Sequence, residues 1–322
     1  MRKELFIAHA KAKPFLKWAG GKTQLLEQMT AYFPPELFSK RITRYVEPFV
    51  GSGAMFFYVA QNYPAAEFFL LDVNKELVLA YQTIQQSVEA VICRLEQMRV
   101  EYLALSQEKK ADQFYAVRDE FNRSRSAIDF DRYQAEWIER TAQIVFLNRT
   151  CFNGLFRVNA RGDFNVPFGG YKNPQIANAE NLRAVSRILQ GAKIQCADFE
   201  GCERNVHDAT FVYFDPPYRP ISPTASFTSY ARFEFGDKEQ KRLAHFYRTL
   251  DERGAKLMLS NSDPKNENPD DHFFEALYKG FNIKRVRASR MINCDATKRG
   301  KINELLIMNY QTGYSQQGMN DS

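Results

Sequence analysis

The stretch that most constrains this chain is Thr210-Phe211-Val212-Tyr213-Phe214, an unbroken apolar run closed by Asp215-Pro216-Pro217-Tyr218. A short run of β-branched and aromatic residues bounded by a turn signal reads as a buried β-strand. The two prolines carry no N–H and cannot extend a ladder, so the strand has to stop at Asp215. An acid, two prolines and an aromatic then stand together at the strand's carboxyl end. That is the edge at which open α/β sheets bind ligands.

The Asp215 carboxylate and the Pro216 carbonyl are both acceptors. Aimed at one point, they suit an amino group that donates two hydrogen bonds. An aromatic amine is a poor nucleophile because its lone pair is delocalised into the ring. Two acceptors on its hydrogens favour a more tetrahedral nitrogen and return the lone pair to it. Tyr218 offers a flat face for a planar base, worth about 1–3 kcal/mol. The cluster therefore suits N-methylation of an exocyclic base amine. The plain alternative is a strand end with a proline turn and a solvated Asp.

Further strands follow the same logic. Arg44 to Phe56 reads as strand, a glycine turn at Gly51-Ser52-Gly53, then helix. Glu67 to Asp72 is the next strand, and Asp72 stands about 20 residues past the turn, the spacing at which an acid meets a ribose diol in a βαβ unit. The turn is only G-x-G, so an adenosyl ligand is favoured by the coupling to Asp72 and not by the glycines alone. Earlier, Trp18-Ala19-Gly20-Gly21-Lys22-Thr23 looks like a phosphate loop, but Leu16 stands where that loop needs glycine. Gly20 and Gly21 instead allow a close backbone approach, with Trp18 over an apolar ligand part and Lys22 against a carboxylate. A helix-capping turn with a core Trp fits equally well.

Asn74 to Met98 has apolar residues at helical spacing, and the helical pattern continues from Glu101 to about Arg140, dense in charge. Asn148 to Lys172 interleaves Asn, Arg and aromatic residues on turn-like backbone. Such residues can read bases and wedge into a stack; an ordinary hairpin with amide-capped turns is the alternative. Lys193 to Phe199 is a strand ending in Asp198, which with Phe199 could bond and stack an adenine ring, or form a turn over the core. Arg219 to Phe235 is a long loop of lid type. Lys256 to Ser260 is another strand. Asn282 to Val286 and Glu304 to Tyr310 form a closing antiparallel pair, joined by a basic connection suited to phosphates. The tail from Gln311 lacks apolar content and is expected to be disordered.

The 322 residues suffice for one large or two modest domains, and 44% hydrophobic content supports a sizeable core. A net charge of +6 permits a polyanionic partner without demanding one. Five cysteines without paired spacing exclude a disulfide framework. Cys196 and Cys202 lack a second Cys/His pair, so no metal site is expected. No run is long enough to span a bilayer and no secretory signal is present, so a soluble, cytoplasmic chain is expected.

Taken together, the segments Lys17 to Lys22, Glu47 to Gly53, Phe152 to Leu155, Phe164 to Gly169 and Asp215 to Tyr218 resemble the DNA adenine-N6 methyltransferases of the Dam and DpnII-methylase type, the D12 class. They match in order and rough spacing from about Pro14 to Tyr310. The resemblance implies an α/β fold, a doubly wound seven-stranded methyltransferase sheet with an inserted, mainly helical target-recognition domain. The catalytic domain would comprise residues 1–85 and 195–322, the insertion residues 86–194. It implies S-adenosylmethionine as methyl donor, no metal, and double-stranded DNA as partner, with a cognate restriction endonuclease left open. Asp215, Pro216, Pro217 and Tyr218 would form the catalytic cluster around a flipped adenine. Trp18, Lys22, Gly51, Gly53, Asp72, Asp198, Phe199 and Asp215 would hold the donor. Arg118, Arg149, Asn159, Asn165 and Lys172 would meet phosphates, and Lys17, Leu155, Arg157 and Pro167 would read GATC. Phe152, followed by Asn153, would wedge into the duplex. Gly170 departs from the Arg that Dam-like members often carry. The segment Asn148 to Gly154 also resembles a GATATC-specific relative. Cytosine-N4 or glutamine-amide methylation, and a non-catalytic DNA-binding regulator on this fold, are the competing readings.

Overall fold

The computed structural model describes residues 10–18, 22, 25–63, 65, 67–159, 161–219, 235–289 and 301–312. The Gly20-Gly21 pair, residues 220–234 of the loop expected to be of lid type, most of the basic connection before 301 and the tail beyond 312 lie outside the described residues. Two compact units are present, Met1–Gly20, Gly51–Phe57 and Asn74–Ala192 in the first, Gly21–Val50, Tyr58–Val73 and Lys193–Ser322 in the second.

The second unit carries a seven-stranded sheet: β1 (Arg44–Glu47), β2 (Glu67–Asp72), β3 (Ala192–Cys196), β4 (Thr210–Phe214), β5 (Lys256–Ser262), β6 (Asn282–Ser289) and β7 (Lys301–Met308). Their order is β3-β2-β1-β4-β5-β7-β6. β1 is parallel to both β2 and β4, and β4 is parallel to β5. β7 runs antiparallel between β5 and β6. Strand order reverses at β1 and β4, the switch point at which such sheets open a crevice at their carboxyl ends. This is the expected α/β architecture, including the closing antiparallel pair.

Side-chain alternation divides the sheet into an apolar and a mixed face. Val212 and Phe214, Leu257 and Leu259, and Leu305 and Ile307 face Leu243, Tyr247 and Leu250 of the helix Asp237–Glu252 in one core cluster. Each such buried side chain contributes about 1.5–3 kcal/mol, which explains why five successive residues of β4 tolerate no water. The opposite face carries Tyr45 and Glu47 from β1, Tyr213 from β4 and Ser260 from β5, all buried. There the Tyr45 hydroxyl donates to Glu47 at 2.7 Å, and Tyr213 and Ser260 hydroxyls lie 2.9 Å apart.

The first unit is helical. Its helices include α1 (Lys75–Leu103), α2 (Gln107–Ser124), α3 (Glu136–Thr150) and α4 (Ala179–Leu189). Asn74 caps α1 by accepting from the Glu76 and Leu77 amides, and Ser87 breaks its regular geometry. The charged stretch 101–140 is not one continuous helix. Ser106 caps a fresh start at Gln107, and Asp129 turns the chain by accepting from Asp131 N–H and, through its carbonyl, from the Trp137 indole. Local capping by short polar side chains competes with helix in ways that charge density does not reveal. Conversely, helix persists through Asn148 and Arg149, which the residue pattern assigned to a turn. Among the described residues no helix is long and apolar enough to cross a membrane.

Arg140, 1% exposed, ties the first unit together. Its guanidinium donates to Glu76 at 2.9 and 2.5 Å, to the Phe121 carbonyl and to Ser124, and lies over the Phe121 ring at 3.5 Å. Removing one partner of such a pair strands a buried charge, so Glu76→Ala should destabilise by about 3–5 kcal/mol in chemical denaturation. A loss below about 1 kcal/mol would show the pair to be dispensable. In the sheet unit, burial raises the phenols of Tyr45, Tyr213 and Tyr247 well above their ordinary 10.0. Folding thus favours their neutral forms, and that stability is present below the ordinary value and lost as pH rises beyond it. In alkaline titration these phenols should ionise only as circular dichroism is lost; phenolate absorbance growing with an intact spectrum would contradict this.

Candidate active site

Period-two alternation brings several polar side chains to one face at the carboxyl edge of the sheet. Tyr213 and Asp215 share a face of β4 and its extension, and Ser260 shares it on β5. Ser262 pairs with Glu304 on β7. There Lys22 Nζ lies 2.8 Å from Asp215 Oδ1 and 3.8 Å from Glu304 Oε2, with Lys22 only 3% exposed. Ser260 Oγ also donates to Asp215 Oδ1, at 2.9 Å. Both donors fall on one oxygen of Asp215, and among the described residues none donates to Oδ2. Tyr218 Oη donates to Glu304 Oε2 at 2.6 Å, and Lys22 Nζ stands 4.6 Å from the Tyr218 ring centroid. Gln240 Nε2 donates to the Pro217 carbonyl at 3.1 Å and is itself held by Asn261, so the proline corner is fixed from behind. Burial, then Asp215 and Glu304, push the Tyr218 phenol well up. Burial also raises the Glu304 carboxyl, against the opposing pull of Lys22 and the Tyr218 hydroxyl.

Along the same edge, Val50 N–H donates to the Leu71 carbonyl at 2.9 Å and Ala197 N–H to the Asp72 carbonyl at 3.1 Å. These bonds gather the chain after β1, β2 and β3, and Asp72 stands at the carboxyl end of β2 as expected. Asp198 is exposed, accepts from Glu200 N–H at 3.1 Å and pairs with Arg242. Phe199 is 1% exposed. Its ring stacks on Phe49 at 5.5 Å, and the Arg242 guanidinium lies over it at 4.2 Å. Its side chain is a core member here, so a stacking partner for a ligand would have to be sought elsewhere at this edge.

Within the first unit, Gly51 and Gly53 adopt φ +45° and +70°, the left-handed region that favours glycine. A Cβ on Gly53 would lie 2.6 Å from Tyr81 Oη, and one on Gly51 3.1 Å from Trp18 Nε1. Tyr81 Oη donates to the Gly51 carbonyl at 3.1 Å. Trp18 stacks on Phe156 at 5.7 Å. The two glycines are thus walled by aromatic side chains, with Ser52 between them.

The same unit organises the segment 148–172 around Asn148. Its side chain accepts from Lys17 N–H at 2.8 Å and donates to the Lys17 and Gly154 carbonyls at 2.9 and 2.8 Å. Antiparallel bridges at Cys151–Phe168 and Val158–Phe164 shape a hairpin. At its turn Asn153 and Gly154 take φ +56° and +64°, and Tyr171 Oη accepts from Asn153 N–H at 3.1 Å. Phe152 is left 51% exposed. Lys17 Nζ stands 5.1 Å from the Tyr171 ring, and Lys17, Arg149, Tyr171, Asn173, Pro174 and Gln175 line a cavity of about 290 Å³. Arg149 donates to the Phe15 carbonyl at 2.7 Å, and burial lowers its pKa. Arg157 Nε donates to Asn165 at 2.8 Å, and Asn159 accepts from the Arg161 and Asp163 amides, so these three are spent partly on the hairpin. Leu155 is half-buried, while Pro167 and Lys172 are exposed. Arg118 sits apart on α2, over the Tyr115 ring at 4.6 Å. Gly170 has φ +69° with open space around it, so backbone conformation rather than crowding opposes a side chain there.

Three residues had no role in the sequence reading. Glu304 precedes the apolar run Leu305 to Met308 and Ser260 follows the run Leu257 to Leu259, so each reads as an ordinary polar residue at the end of an apolar run. Tyr171 lay hidden among many aromatics.

With this geometry in view, comparison with known proteins is direct. The family model of the D12 class N6 adenine-specific DNA methyltransferases matches residues 18–292. A type II methyltransferase, M.MjaIII of Methanocaldococcus jannaschii, is 51% identical over 299 residues, 92% of this chain and 99% of that protein. The type II methyltransferase M1.LlaDCHI of Lactococcus lactis subsp. cremoris is 37% identical, covering 92% of this chain and 95% of its own. A DNA adenine methylase of Haemophilus influenzae is 33% identical across 95% of this chain and 97% of its own. The chain is therefore an enzyme and belongs to the D12 class of N6 adenine-specific DNA methyltransferases.

Proposed function

We propose that this enzyme methylates N6 of an adenine flipped out of duplex DNA, at GATC sites, with S-adenosylmethionine as donor. The observation that carries the chemistry is the half-committed Asp215 carboxylate. Lys22 and Ser260 hold Oδ1, and Oδ2 keeps its acceptor capacity for an amino hydrogen. The Pro216 carbonyl takes the second hydrogen, and the Tyr218 ring receives the base. Flipping costs a few kcal/mol, which stacking and these bonds offset. The proton shed by the amino nitrogen passes to Asp215 or water. Catalysis by these residues is orientation and electrostatics.

Bound, the donor supplies an electrophilic methyl carbon on a cationic sulfur. The fit of this chain to it rests on the left-handed glycine turn at Gly51 and Gly53, held against Trp18 and Tyr81, and on Asp72 at a strand end suited to a diol. Trp18, Lys22 and the main chain near Asp198 and Phe199 complete the assignment. For DNA, the exposed Phe152 on a locked turn is the wedge. Asn153 shapes that turn. Lys17, Leu155, Arg157 and Pro167 read bases, and Arg118, Arg149, Asn159, Asn165 and Lys172 meet phosphates. Residues 1–85 and 195–322 act as the catalytic domain and 86–194 as the recognition insertion. The enzyme acts in the cytoplasm, on the cell's DNA. A relative at 51% identity is named as a type II methyltransferase, which favours pairing with a restriction endonuclease.

Methylation-aware sequencing of DNA from cells expressing the chain tests the target: modified adenines confined to GATC are expected, and another motif, such as GATATC, would overturn the base-reading assignment. Asp215→Ala should lower methyl transfer by about a hundred- to a thousandfold or more with DNA affinity little changed; near-normal transfer would remove Asp215 from the chemistry. Gly53→Ala, strained by backbone and by Tyr81, should lose donor binding in calorimetric titration and about 1–3 kcal/mol of stability. Undiminished donor affinity would remove the turn from the donor site.

A further inference from the structure

Glu304 is a charged member of the sheet-edge cluster to which the proposed chemistry gives no task. Its carboxylate is 13% exposed, takes the Tyr218 phenol at 2.6 Å and lies 3.8 Å from Lys22 Nζ. A buried carboxylate is costly, so its retention calls for a return from its neighbours. We propose that Glu304 is a positioning residue for methyl transfer, which fixes the Tyr218 ring as the adenine platform and shares the Lys22 ammonium with Asp215. This rests on the proposed roles of Asp215 and Tyr218.

Two physical effects support it. Tethered at its hydroxyl end, the Tyr218 ring cannot swing about its side-chain bonds, so the face offered to a base is set before the base arrives. The charges also matter. With Asp215 alone, the ammonium would neutralise the acceptor completely. With Glu304 beside it, one cation serves two carboxylates and the three groups carry a net negative charge. That charge faces the amino nitrogen, where positive charge develops as the methyl is received. Burial raises the Glu304 carboxyl, so its ionised, useful form is lost at a higher pH than an exposed acid would show. Among the described residues the charged and titratable groups that act on it are Lys22, Tyr218, Asp215 and Tyr213.

Glu304→Gln keeps an acceptor for the phenol and removes only the charge; Glu304→Asp keeps the charge at a shorter reach. Single-turnover transfer to a GATC duplex, run across pH, distinguishes them. Glu304→Gln should lower the rate on the order of ten- to a hundredfold, with donor and DNA dissociation constants within about twofold. The acid limb of the wild-type profile should move to lower pH in Glu304→Gln, and Glu304→Asp should recover part of the rate. A wild-type rate and unmoved limb in Glu304→Gln would overturn the inference. So would equal losses in both variants with equally weakened DNA binding, the mark of a packing role. Asp215→Ala measured in parallel separates the two levels: transfer surviving there removes the underlying chemistry, whereas transfer lost there but normal in Glu304→Gln removes only Glu304.

Discussion

The contact on which the rest depends is the ion pair between the buried Lys22 and the partly exposed Asp215, 2.8 Å apart at the carboxyl edge of the sheet. The Lys22 ammonium against Oδ1 of Asp215 and a hydroxyl from Ser260 on the same atom fix the plane of the carboxylate. The second oxygen is thereby aimed without being consumed. The sheet, the proline corner and Gln240 behind it serve to hold that geometry.

Much of this was readable from residues, because strand patterns and special backbone positions leave local marks. β4 and the corner after it follow from five apolar residues and two prolines. The glycine turn follows from positions that require positive φ, and both glycines have it. What escaped are relations between distant residues. Glu304 meets Tyr218 only because β7 inserts beside β5, and no periodicity reports that pairing. Asn148 reads as a turn residue, yet it lies in the last turn of a helix that runs to Thr150, where its amide bonds Lys17 and Gly154. Phe199 reads as a ligand neighbour, yet its ring is taken by Phe49 and Arg242. In each case a tertiary partner decides between two locally plausible roles.

The first unit applies a different economy of parts. Asn148 and Tyr171, neither a contact in the proposed chemistry, hold a three-residue turn with two left-handed positions, and the outcome is one exposed aromatic ring. Of the two left-handed positions only Asn153 bears a side chain, so the backbone strain is that of one residue, about 1–3 kcal/mol. Such strain persists where the surrounding bonds over-determine it, as the Asn148 and Tyr171 contacts do. Arg157, Asn159 and Asn165 are partly engaged within the hairpin, so their use on DNA would exchange internal bonds for external ones and set a penalty on wrong sequences.

The central claim is that the open oxygen of Asp215 receives the adenine amino group. A crystal structure of the enzyme with a non-transferable donor analogue and a target duplex measures that contact directly. The account predicts N6 within hydrogen-bonding distance of Asp215 Oδ2 and the Pro216 carbonyl, with the base against Tyr218. An extruded adenine bound elsewhere, with the Lys22–Asp215 pair intact and nothing on Oδ2, would contradict it.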